Sequence, residues 1–196
     1  MKQLPLSRRK FLGTAIAFPF VARTSWAIGP NDRIRHASFG ASGMAGADLN
    51  SISGHSHVDM HAAAEIDPGR STGFGKKHPK AKIYRDWREL LDKEAKNFDT
   101  ANVSTPDHMH APIAMSAMQL GKHVYVQKPL THDVFESRRL REFAATNKLV
   151  TQMGIQVHSS AVYQLAVELV HTGAIGKVTE VHTWSSKKWG DMAPRP

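Results

Sequence analysis

Between a strand-like run and a helix-like one the sequence reads Gly40-Ala41-Ser42-Gly43-Met44-Ala45-Gly46. Loops of this composition suit phosphate, because backbone N–H groups at the head of the following helix point at the anion. In the dinucleotide fingerprint the first glycine makes the tight turn. The second lets backbone approach the pyrophosphate, and the third lets helix pack on strand. Aligned from Gly40, those places hold Gly40, Ser42 and Ala45. The turn glycine is kept, and alanine is an allowed third residue. Ser42 adds a side chain at the place of closest approach, but also a hydroxyl able to bond a phosphate oxygen; Gly43 and Met44 complete the loop. Glu65 follows Gly40 by 25 residues, at the end of the next strand-like run. An acid near that distance accepts hydrogen bonds from ribose hydroxyls and disfavours a 2′-phosphate. The pattern therefore predicts NAD, with Arg70 keeping NADP as the alternative. His108 and His110 form an H-x-H pair. Two imidazoles could begin a metal site, but no third ligand accompanies them, and no metal is predicted. They are read as cofactor-side lining or as plain positions at a helix start.

The elements that must hold these residues alternate. Strand-like runs are read at Ile34–Phe39, Val58–Ile66, Ile83–Tyr84, Phe98–Val103, His123–Val126 and Leu149–Met153. The first is unusually polar, with Arg35, His36 and Ser38. Helices are read over 43–53, 71–78 after a Pro68-Gly69-Arg70-Ser71 turn, 87–95 with an Asp86/Glu89 capping box, about 107–120 and 133–146. Such alternation predicts an α/β fold, a doubly wound Rossmann-type parallel sheet covered on both faces. Beyond Gly154 a helix over about 160–172, a Gly173–Gly176 turn and a strand Val178–Trp184 are predicted. One helix and one strand cannot make a domain. Residues 28–154 are read as the nucleotide-binding domain and 155–196 as the opening of an α+β second domain, cut short.

Charge and leader bound the function. The chain carries 26 Lys and Arg against 17 Asp and Glu, net +9. Lys2, Arg8, Arg9, Lys10 and Arg23 fall in residues 1–27, which hold no acid; without them 21 basic residues face 17 acidic ones. That balance, with no basic stripe interleaved with aromatics, argues against nucleic acid as a partner. Ser7-Arg8-Arg9-Lys10-Phe11-Leu12 reads as a twin-arginine pattern. An apolar stretch of about 12 residues follows, then Ser25-Trp26-Ala27, a small-residue cleavage site. The stretch is too short to span ~30 Å of hydrocarbon. Residues 1–27 are thus expected to be an export signal read by the twin-arginine machinery, with a retained N-terminal anchor as the alternative, and the protein is expected to be periplasmic or exported. The absence of cysteine excludes disulfides and thiol chemistry.

Residues 105–132, TPDHMHAPIAMSAMQLGKHVYVQKPLTH, resemble the glucose–fructose oxidoreductase / inositol dehydrogenase / MocA (Gfo/Idh/MocA) family of NAD(P)-dependent oxidoreductases. The glycine loop, Glu65-Ile66-Asp67, TQMGIQVHSS and AIGKVTEVHTW extend the resemblance. It implies that Lys128, in the Lys-Pro pair, sits beside nicotinamide and substrate. A desolvated lysine can relay the proton of a substrate hydroxyl, and a charged one can polarise a carbonyl. The resemblance further implies that Thr105, Pro106 and His110 border the cofactor, that Gln127 and Gln156 lie on its side, and that His158 is either a substrate contact or a solvent-exposed histidine. Two departures stand out. Gln127 replaces the usual glutamate, and Gly154-Ile155 replaces a glycine–asparagine pair. Trp184 and Trp189 are read as a sugar-stacking wall or as core residues of the second domain. The Asp-x-x-x-His pair that the family carries in its second domain does not occur beyond Gly154, so a complete enzyme is expected only with more chain. The function implied is hydride transfer between nicotinamide and a sugar or polyol secondary alcohol, in a homo-oligomer. The alternatives are an NAD-dependent glycosidase of the same family and a non-catalytic sugar- or cofactor-binding protein.

Overall fold

A computed structural model describes residues 33–184. The twin-arginine leader and Trp189 lie outside the described residues. Six strands, β1 (Ile34–Phe39), β2 (Val58–Ala64), β3 (Lys82–Tyr84), β4 (Thr100–Val103), β5 (His123–Gln127) and β6 (Thr151–Gly154), form one parallel sheet in the order β3-β2-β1-β4-β5-β6. Helices α1 (Met44–Ser53), α2 (Pro68–Lys77), α3 (Trp87–Glu94), α4 (His110–Gln119) and α5 (Val134–Thr146) connect them, and α6 (Ala161–His171) follows β6. This is the Rossmann-type sheet expected. The chain winds outward from β1 to β3, then crosses back to place β4 on the other side of β1. A crevice opens where that direction reverses, at the strands' carboxyl ends.

Register assigns each residue of the central strands to a face. Ala37, Ala101 and Val124 lie side by side, as do Phe39, Val103 and Val126. These rows are buried against Leu90 and Leu91 of α3, Ile113, Ala114 and Ala117 of α4, and Leu140 of α5. Alternation puts His36, Thr100 and His123, and then Ser38, Asn102 and Tyr125, on the opposite face. Between β1 and β2 the register steps after His36: His36 pairs with Met60 and Ala37 with Ala62, leaving His61 as an extra residue. The polarity of β1 is satisfied by partners both across the sheet and along the chain. Arg35 holds Asp99 at 2.8 Å, and Ser38 Oγ donates to the Gly40 carbonyl at 2.6 Å.

Helix starts depart from expectation in two places. Residues 68–71 are the first turn of α2, not a free turn: Asp67 caps the helix, accepting from Gly69 N, and Pro68 opens it, where a missing N–H costs nothing. The reciprocal capping box lies at Asp133 and Glu136 of α5. Asp86 caps α3 by accepting from Arg88 N, while Glu89 pairs forward with Lys93. Residues 177–184 carry no regular structure, so the strand expected at Val178–Trp184 is absent. A strand exists by pairing, and among the described residues no edge lies beside this segment. Trp184 is exposed. No helix of the described residues is long and apolar enough to cross a membrane.

Candidate active site

The crevice at the carboxyl ends of β1, β2 and β4 is a cleft of about 900 Å³. Gly40, Ser42, Gly43 and Met44 form one wall, Glu65 and Arg70 a second, and Thr105, Pro106 and His108 a third. Gly40 has φ +100°, and a Cβ there would meet the Ser104 carbonyl oxygen at 2.7 Å, so only glycine fits. Gly43, at φ +59°, precedes α1 with open space around it. Asp67, Asp86 and Asp133 cap α2, α3 and α5, but no side chain caps α1. Its first N–H groups therefore remain available, next to the cleft, for an anion. Thr105 Oγ1 is buried there without a protein partner. The glycine cradle, the uncapped helix head and the orphaned hydroxyl fit a dinucleotide.

Glu65 is half-buried and already engaged: Oε2 accepts from Ala41 N at 3.0 Å and Oε1 from Asp67 N at 3.2 Å. Each carboxylate oxygen retains a lone pair. The residue thus fastens the glycine loop and can still receive ribose hydroxyls. Arg70 reaches Asp67 at 3.8 Å and stays largely exposed.

A second group of residues lies at the end of β5. Gln127 Nε2 donates to Asp48 Oδ2 at 3.1 Å, and Gln127 Oε1 accepts from Lys128 N at 2.8 Å and from Gln156 Nε2 at 3.1 Å. Gln156 also approaches Met44 Sδ at 3.8 Å, which links this group to the glycine loop. Behind it runs a buried polar chain. Ser104 Oγ donates to Asp48 Oδ2 at 2.7 Å, Asn102 Nδ2 to Ser104 Oγ at 3.0 Å, and His36 bridges Asn102 Oδ1 at 3.0 Å and Thr100 Oγ1 at 2.8 Å. Burial pushes the His36 imidazole down to about 4, partly offset by the Asn102 contact. Burial and the nearby Asp48 raise the Tyr125 phenol.

Gly40, Ser42, Gly43, Met44, Glu65, Thr105 and Pro106 thus gather around one cleft, while Lys128, Gln127 and Gln156 meet beside it. His110 belongs to neither set, contrary to its expected place at the cofactor. It is buried, with Nδ1 at 2.5 Å from the Pro129 carbonyl and Nε2 at 2.8 Å from the Thr105 carbonyl, and so ties the β4 loop to the Lys128-Pro129 corner. His108 lines the cleft in its stead. His158 is exposed and stacks on Tyr163, with ring centroids 5.2 Å apart. Lys128 is exposed at the end of β5, not desolvated, and its peptide bond to Pro129 is cis.

Asp48, Ser104 and Asn102 escaped the sequence reading, although a signal existed. Ala45, Asp48 and Leu49 are the buried residues of α1, so an acid occupies a position on the helix's inward stripe. Glu94 repeats the pattern behind Leu90 and Leu91 of α3. Away from the cleft, it accepts from Lys82 Nζ at 2.6 Å, Tyr84 OH at 2.5 Å and Asn97 Nδ2 at 3.0 Å, and meets His61 Nε2 at 2.6 Å. These donors hold its carboxyl well below the usual range against the opposing cost of burial. Burial and Glu94 together push the Tyr84 phenol up to about 12.

Residues 34–155 match the Gfo/Idh/MocA oxidoreductase family with its NAD-binding Rossmann fold, and the chain belongs to that family. It is 28% identical over 106 residues to levoglucosan dehydrogenase of Pseudarthrobacter phenanthrenivorans, covering 52% of this chain and 27% of that one. It is 29% identical over 139 residues to an α-N-acetylgalactosaminidase of Shewanella oneidensis, covering 69% and 28%. Scyllo-inositol dehydrogenase of Lactobacillus casei, solved with NAD(H) and scyllo-inositol, shares the fold at TM-score 0.67 and 22% identity, covering 74% of this chain and 42% of that one. The chain spans less than half the length of each of these relatives.

Proposed function

We propose that this chain is the nucleotide-holding part of an NAD-dependent oxidoreductase that transfers a hydride between nicotinamide and a secondary alcohol of a sugar or polyol. The observation that carries the reading is Gly40, backed so closely by Ser104 that no side chain fits, at the foot of a helix whose N–H groups no side chain caps. When bound, NAD supplies the hydride acceptor. The head of α1 and the Ser42 hydroxyl hold the phosphates, Glu65 receives ribose hydroxyls, and Thr105 and Pro106 border the cofactor. Lys128 takes the proton from the substrate hydroxyl oxygen during oxidation and returns it during reduction. Residues 155–196 open a second domain that completes the substrate site and carries homo-oligomer contacts, and His158 faces substrate there. The leader directs export through the twin-arginine machinery to the periplasm.

Calorimetric titration with NAD and NADP tests this. Saturable NAD binding is expected, weaker for NADP, with Gly40→Val lowering affinity by at least about tenfold through the clash with Ser104. A wild-type chain that binds neither nucleotide overturns the reading. Similarity to the Shewanella α-N-acetylgalactosaminidase favours a second reading, an NAD-dependent glycosidase. Assays of the complete protein on free sugars with NAD, and on aryl glycosides, separate the two. In either, Lys128→Ala is expected to abolish turnover and spare nucleotide binding.

A further inference from the structure

The buried polar chain behind Lys128 has a direction, and the direction has an end. An ionised carboxylate only accepts and a backbone N–H only donates. Asp48 therefore fixes which way the Gln127 amide points: Nε2 to Asp48, and Oε1 to Lys128 N and Gln156. From the other side Ser104 must donate to Asp48, so it accepts from Asn102 Nδ2. Asn102 then presents its oxygen to His36, whose Nε2 carries the proton and whose Nδ1 accepts from Thr100. Asp48 on α1, Gln127 on β5, Ser104 just after β4, Asn102 and Thr100 on β4, and His36 on β1 acquire one arrangement because Asp48, only 8% exposed, accepts from both Gln127 and Ser104. A neutral residue at 127 does not remove charge from the site. The charge stands one side chain back, on α1.

We propose that Asp48 is the positioning residue of the Lys128 corner, holding the Gln127 amide so that its oxygen anchors Lys128 N and Gln156. That the corner is catalytic rests on the function proposed above; the hydrogen-bonded arrangement stands on its own geometry.

The two side chains are interchangeable in principle. With Asp48→Asn and Gln127→Glu together, the new amide on α1 accepts from Ser104 and donates to the new carboxylate on β5, which accepts from Lys128 N and Gln156. Gln127→Glu alone sets two buried carboxylates side by side, which must share a proton. Tyr125, whose phenol Asp48 raises, and His36, at the far end of the hydrogen-bonded chain, are the titratable groups nearest them, with Lys128 joined through its backbone N; all are common to every variant. Urea midpoints of the full chain at about pH 6 and about pH 8, each taken relative to wild type, test the pairing. Gln127→Glu is expected to lose more at the higher pH, and the double variant is expected to recover the loss at both. Hydrogen exchange tests the positioning: Asp48→Ala should speed exchange of the Lys128 amide by about tenfold or more, and the double variant should restore protection. A pH-independent Gln127→Glu loss, a double variant no better than that single one, or unchanged Lys128 exchange in folded Asp48→Ala would overturn the proposal. If Asp48→Ala does not fold, the swap decides. All readouts are made without nucleotide, so failure of NAD binding sinks the proposed function and leaves this arrangement to be judged separately.

Discussion

On one face of the central sheet the rows Ala37–Ala101–Val124 and Phe39–Val103–Val126 meet α3, α4 and α5; on the other, one residue along each strand, His36–Thr100–His123 and Ser38–Asn102–Tyr125 run in parallel. Strands of parallel sheets are ordinarily apolar on both faces. Here burial of apolar surface is concentrated on one face, and the other is given to hydrogen bonds that lead toward the carboxyl ends. The apolar rows hold by volume and tolerate little loss of it. The polar rows hold by direction: each donor needs its acceptor, and each orphan carries a desolvation cost. The difference teaches where to look for chemistry in such a sheet. The face with unneeded polarity leads to the Lys128 corner, because an apolar face would have sufficed for folding.

Three substitutions probe that contrast, in falling order of effect. Phe39→Ala empties the centre of the apolar face, where the ring is fully buried. It is expected to cost about 3–5 kcal/mol, read as a shift of the urea midpoint with an unchanged slope. Acidification probes the polar face. The folded chain holds His36 near 4, while the unfolded chain titrates it at its ordinary 6.5. Its contribution is therefore complete above 6.5 and is lost as pH falls toward 4. The loss is on the order of 3 kcal/mol, and His36→Gln should flatten that part of the stability profile. The depressed Glu94 carboxyl adds a second loss that begins at the ordinary value of 4.5 and runs below it, so its window opens where that of His36 is closing. Ser104→Ala is expected to cost least, about 1–2 kcal/mol, by leaving Asn102 without its acceptor and Asp48 with one donor fewer. A Ser104→Ala loss as large as that of Phe39→Ala would break the distinction between the faces.

Much of this was legible from residue types. Alternating periodicity predicted all six strands of the sheet, because strand and helix periods differ and the glycines and prolines fall between them. The cleft side of the site was legible too: Gly40 and Glu65 are fixed by spacing along the chain, and the structure puts them on the same cleft. What spacing could not carry is contact across the sheet. Asp48 and Gln127 are 79 positions apart and meet only when the fold brings α1 to the carboxyl end of β5. His110 was placed at the cofactor by the family resemblance, yet the helical turn between it and His108 sends the ring of His108 to the cleft and that of His110 inward. Whether Lys128 is desolvated or charged was left open, because that depends on its surroundings, which no residue type encodes.

The register step between β1 and β2 sets a constraint on length that composition does not reveal. His61 is the additional residue, and everything beyond it, through Ala64 to Glu65, owes its side of the sheet to that count. Trimming one residue from this strand would turn Glu65 away from Ala41 and bring its apolar neighbours round to the wrong side. A substitution within β2 leaves that count intact, whereas a residue gained or dropped there costs the carboxylate its grip on the glycine loop.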